Sequence, residues 1–166
     1  MFACKEGNVS FDLFLQRFDS GTSAQVDRAA VLSVLRTVCQ QPEDRFGFYL
    51  VEFPDGSHVE LSAKGLETDD EFTGCAFHLR GFSKSLIFFV YDIAVAGDMV
   101  IFNAQGRSES QAEMPMTILT SADQAPHLPS AVAECFAICS SGVQLAQLLG
   151  ASIEDWEGYR DRVVGH

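Results

Sequence analysis

The spacing of apolar residues changes several times along this chain, and each change marks an element. SFDLFLQRF (residues 10–18) is rich in aromatic and branched side chains with partial alternation, which predicts a strand. After the loop DSGTSA, residues 26–38 place Val31, Leu32, Val34, Leu35 and Val38 in one arc, with Ser33, Arg36 and Thr37 opposite. That is the pattern of an amphipathic helix. In GFYLVEFPDGSHVELSA (residues 47–63) two strand-like runs flank Pro54-Asp55-Gly56-Ser57, the composition of a tight hairpin turn. KGLETDDE (residues 64–71) reads as a polar loop, and FTGCAFHLRG (residues 72–81) alternates Cys75, Phe77 and Leu79 against Ala76, His78 and Arg80 as another strand.

The densest apolar run, Ser83 to Phe102, predicts a helix over Lys84–Ala96, capped by Ser83 and stopped by Gly97. Asp92 and the Gly97-Asp98 pair interrupt the run, so it lacks the roughly twenty apolar residues that a membrane span needs. Leu86, Ile87, Phe89, Val90, Tyr91, Ile93 and Ala94 form a wide apolar arc, enough to cover a sheet. Phe88 and Val95 fall on the opposite arc with Lys84, Ser85, Asp92 and Ala96. MVIF (99–102) is apolar on both faces and reads as a central strand. NAQGRSESQAE (103–113) is a polar loop and PMTILT (115–120) a strand. AVAECFAICSS (131–141) fits a strand better than the start of a helix. The reason is that Ser141-x-x-Gln144 resembles a capping box for a short helix ending at Gly150; Ser152-x-x-Asp155 opens a second.

The predicted fold class is therefore α+β within a single domain, residues 1–166. Two strand–helix–strand–strand halves, 10–63 and 72–139, would share a mostly antiparallel sheet or a small barrel, followed by two short C-terminal helices within 141–164. Apolar residues make up 47% of the chain, which suffices for a packed core.

The net charge of −12 then narrows the partners. Nucleic-acid binding needs a basic patch, and the eleven Lys and Arg residues are scattered without a run, so neither nucleic acid nor an anionic membrane surface is expected. An acidic surface suits solubility and a basic protein partner. The five cysteines are odd in number and contain no C-x-x-C, and MFACKEGN has neither the apolar segment nor the cleavage site of a secretory leader. A cytoplasmic location with reduced thiols is expected, with no cofactor. SFDLFLQRF and WEGYRDRVVG resemble segments of small uncharacterised bacterial α+β proteins; the resemblance covers about a tenth of the chain and implies no activity.

No Gly-rich phosphate loop, H-E-x-x-H or G-x-S-x-G motif occurs. Four constellations remain. Strand alternation puts His58 with Glu60 on one face and His78 with Arg80 on one face; if those faces coincide, they form an acid–base or metal-binding group, and otherwise a wetted sheet face. His127, in a loop before Leu128-Pro129, and the terminal His166 are weaker candidates. Cys135 and Cys139 share a face in either strand or helix and read as core, as does Cys75. Asp12 shares a face with Phe14 and Gln16, has no evident partner, and suggests a polar pair with Gln16, a strand edge or a structural hydrogen bond to loop amides. Glu67, Asp69, Asp70 and Glu71 lack calcium-loop spacing and form either a solvated loop or a docking surface for a basic partner. Finally, Phe88 and Val95 rimmed by Lys84 and Asp92 suggest an interface patch, a homodimer contact or a surface covered by Trp156 or Tyr159 of the C-terminal helix.

These features favour a non-enzymatic interaction module, such as an immunity-type neutraliser of a basic protein. The alternative is a small-ligand binder or hydrolase using His58, Glu60, His78 and Arg80 in a groove between the halves.

Overall fold

The computed structural model describes residues 10–68, 71–104 and 116–164. Its strands are β1 (Phe11–Gln16), β2 (Phe18–Asp19), β3 (Thr22–Ser23), β4 (Phe48–Glu52), β5 (His58–Ser62), β6 (Gly74–Leu79), β7 (Val100–Asn103), β8 (Thr117–Leu119) and β9 (Ala137–Ile138). The helices are α1 (Arg28–Leu35), α2 (Lys84–Ala96) and α3 (Gly142–Val164), with a 3-10 helix at Ala122–His127. Seven strands form one mixed sheet in the order β4-β5-β6-β1-β7-β8-β9, and β2 with β3 forms a small separate ribbon. Among the described strands of this sheet, β8 and β9 pair in parallel and the rest pair antiparallel. The fold is α+β, and the sheet is open rather than closed into a barrel.

Period-two alternation divides the sheet into two faces. Phe11, Leu13, Leu15, Tyr49, Val51, Val59, Leu61, Phe77 and Leu79 point to the inner face and are buried. They pack with helix residues including Val31, Leu35, Leu86, Val90, Ile93, Leu145 and Leu149 in one core. Helix α2 buries Leu86, Ile87, Phe89, Val90, Ile93 and Ala94, six of the seven positions on the arc read from its sequence. Ser83 caps it by accepting from Leu86 N, and Asp27 caps α1 by accepting from Ala30 N. Gly56 adopts φ +86 in the β4–β5 hairpin, a conformation that favours glycine.

The expected C-terminal helices run into one another. α3 passes through Gly150 without a break; an interior glycine costs a helix only about 1 kcal/mol. The segment 131–139 contributes the two-residue strand β9 after a turn. Trp156 packs edge-on against Phe11 (6.2 Å) and Phe82 (5.5 Å), joining α3 to the end of β1. Asp12 was expected at a strand edge, beside Gln16 or bonded to loop amides; β1 is not an edge strand but central, between β6 and β7.

Among the described residues the outer face is covered at the β7–β8 end. Val100 and Leu119 are buried beneath Leu128, with Phe18, Phe102, Ala125, Val132, Ala133 and Phe136 packed around them. Gln124 locks this cover: its Oε1 accepts from Thr120 N at 2.9 Å and its Nε2 donates to Asp98 Oδ1 at 3.0 Å. Across β4, β5, β6 and β1 no cover of this kind lies among the described residues.

Candidate functional site

Strand register assembles a polar row on this part of the outer face. Leu50 pairs with Glu60, Glu60 with His78, and His78 with Asp12. His78 Nδ1 lies 2.9 Å from Asp12 Oδ1, which also accepts from Ser10 Oγ at 2.8 Å. Arg80 Nη2 lies 3.3 Å from Glu60 Oε1. All four side chains are partly solvated, so each pair contributes about 0–1 kcal/mol to stability. The sequence left Asp12 without a partner; His78, 66 residues away, supplies it through the β1–β6 pairing.

The expected faces of β5 and β6 do coincide, but the two histidines do not meet in one row. His58 pairs opposite Glu52 near the hairpin turn and is exposed, whereas His78 sits between Glu60 and Asp12. The halves also interleave, because β6 of the second lies between β5 and β1 of the first. Their boundary is a hydrogen-bonded ladder rather than a cleft. Among the described residues, no group of three or more His, Cys, Asp or Glu gathers closely enough to hold a metal.

Two shallow grooves flank the row. One, of about 310 Å³, is lined by Phe14, Gln16, Ser62, Lys64, Gly74 and Ala76, together with Leu15 and Cys75. The other, of about 320 Å³, is lined by Asp44, Phe46, Phe48, Leu50 and Glu60. Neither is lined by a histidine. Their linings include large apolar side chains in water: Phe14 is 45% exposed, Leu50 52% and Phe46 68%. Phe46 and Leu50 share the lining of one groove, and Phe14 lines the other, with β5 and β6 lying between β4 and β1.

The segment before β4 is rigidly set. Asp44 Oδ1 accepts from Phe46 N (2.8 Å) and Phe48 N (3.0 Å), and Asp44 N donates to Phe48 O (2.9 Å). Gly47 completes the turn at φ +87. Arg45 Cζ lies 4.5 Å from the centroid of the Phe46 ring.

The other expected sites are placed as follows. Glu67 of the acidic loop is engaged within the chain, accepting from the Tyr49 hydroxyl at 2.5 Å and pairing with the Arg36 guanidinium. That hydroxyl bond and the arginine hold the Glu67 carboxyl below its usual value, while burial and the neighbouring carboxylate push the Tyr49 hydroxyl well above its own. Glu71 is exposed; Asp69, Asp70 and His166 lie outside the described residues. Cys75 and Cys139 are buried, and burial pushes their thiols up to about 12 and about 11. Cys135 is exposed in the turn before β9, correcting its expected place in the core.

On α2, Phe88 is half-buried against Gly142 at the start of α3, a position where a Cβ would collide with its ring. Trp156 turns instead to Phe11 and Phe82, and Tyr159 is half exposed. Lys84 Nζ lies 5.3 Å from the Phe88 ring centroid, while Val95 and Asp92 are exposed. Among the described residues no helix is long and apolar enough to cross a membrane.

Comparison with protein-family models, curated proteins and solved structures finds no match to this chain.

Proposed function

We propose that this protein is a non-enzymatic, cytoplasmic binding module that docks a basic protein partner on the open half of its outer sheet face, in the manner of an immunity-type neutraliser. The observation that carries this reading is the composition of that face. Phe14, Phe46 and Leu50 are exposed there beside the carboxylates of Asp12, Asp44, Glu52 and Glu60, in a chain of net charge −12. Apolar anchors supply affinity once desolvated, and the carboxylates select a cationic partner and speed its encounter.

The test is capture from extract of the source cell, followed by titration of each purified partner at low and physiological salt. The expected partner is basic, binds more weakly as salt rises, and fails to bind Leu50→Asp. A partner that binds Leu50→Asp as tightly as it binds the native chain contradicts the proposal.

A further inference from the structure

We infer that the groove formed by Asp44, Phe46, Phe48, Leu50 and Glu60 is a pocket for an arginine side chain of the partner. The inference deepens the reading above and rests on it. At about 320 Å³ the groove lies at the small end of ligand-pocket sizes, fit for one long side chain rather than a drug-sized molecule. Its apolar wall consists of Phe46, Phe48 and Leu50, and two carboxylates, Asp44 and Glu60, stand in the same lining. An apolar stem with a planar cationic head matches both parts: the stem lies along the apolar wall and the guanidinium meets the carboxylates.

Three details sharpen the fit. The turn that carries Phe46 and Phe48 is already fixed by the Asp44 hydrogen bonds, so little ordering cost remains for binding. The Phe46 ring already takes a guanidinium, that of Arg45, although Arg45 is not one of the five lining residues. Glu60 meets Arg80 through Oε1 at 3.3 Å, and a carboxylate has the acceptor capacity for a second guanidinium. An ammonium group satisfies the charge but not the planar stacking, so lysine is the weaker occupant.

The test is an amide-shift titration of the isotopically labelled full chain with N-acetyl-arginine amide, with the neutral isostere N-acetyl-citrulline amide as the control. The expected result is saturable shifts at Phe46, Phe48, Leu50 and Glu60, with citrulline binding at least about tenfold more weakly because charge-assisted bonds are lost. Glu60→Gln and Phe46→Ala, both at exposed or half-exposed positions, should each weaken arginine binding by about threefold to tenfold while leaving the remaining spectrum in place. Equal binding of arginine and citrulline, or shifts confined to other regions, overturns the pocket. If the pocket fails but Leu50→Asp still abolishes partner binding, the docking face survives without it. If arginine amide binds here but the partner ignores Leu50→Asp, the pocket stands and the docking reading falls.

Discussion

At the β7–β8 end of the outer face, Val100 and Leu119 are almost completely buried, whereas at the β4–β5 end Leu50 stands 52% exposed on the same face of the same sheet. The difference follows from what the chain supplies. Over β7 and β8 it folds back through the 3-10 helix and the following turn, bringing Leu128, Val132 and Phe136 onto the sheet. Over β4, β5, β6 and β1 no such cover lies among the described residues. The outward positions there change character accordingly: Asp12, His78, Glu60 and Arg80 form cross-strand pairs, with Phe14, Phe46 and Leu50 between and beside them. A face left only to water would need no such apolar residues, and a face closed by its own chain would carry fewer charges. The mixture suits the proposed docking surface, with apolar anchors and a charged rim.

The sharpest way to break this comparison is to truncate one leucine at each end. Leu119→Ala should lose about 2–5 kcal/mol of unfolding free energy as a buried leucine, while Leu50→Ala should change it by less than about 0.5 kcal/mol. Urea denaturation measures both, and comparable losses would mean that the two ends are equally covered. Next in size is the covered side of α2. Gly142→Val should cost about 1–3 kcal/mol, because any side chain at this position drives into the Phe88 ring. An unchanged urea midpoint would show that Phe88 is free to move away.

Glu67→Gln should cost about 1–2 kcal/mol by weakening the bonds from Tyr49 and Arg36. Its pH dependence has a definite sign. The folded-state pKa of Glu67 lies below the ordinary 4.5, so its stabilisation is complete above that value and is lost as pH falls through the lower, folded value. The gap between native and variant stabilities should therefore narrow in acid, and a gap that widens in acid would contradict the assignment. The smallest effect belongs to the open face itself. His78→Gln should cost less than about 1 kcal/mol at neutral pH, because its bond to Asp12 is partly solvated. A larger loss would make the polar row a structural feature rather than a surface one.

Much of this architecture was legible in local pattern. The α2 arc, the Pro54–Ser57 turn and the alternation of β6 each reflect a period written within a dozen residues. What escaped was set by pairing at long range. Asp12 looked unpartnered because no local signal places β6 beside β1, and only that placement brings His78 to it. The same insertion of β6 between β5 and β1 spread the four candidate residues along a face instead of across a cleft. Cys135 shared a face with Cys139 by counting, yet a turn rather than a regular element carries it, so the counting did not apply. Gly150 and the Ser152 box suggested a helix boundary, but packing of Leu145, Leu149 and Trp156 into the core spans that position and outweighs the local signal.

The central claim is that binding uses the open sheet face and not the exposed α2 surface. The direct measurement is the affinity of one purified partner for the native chain, for Leu50→Asp and for Val95→Asp, compared side by side. Both substitutions fall at half-exposed positions, so both variants should fold. The account predicts that Leu50→Asp loses binding while Val95→Asp keeps it; loss with Val95→Asp and retention with Leu50→Asp would contradict it.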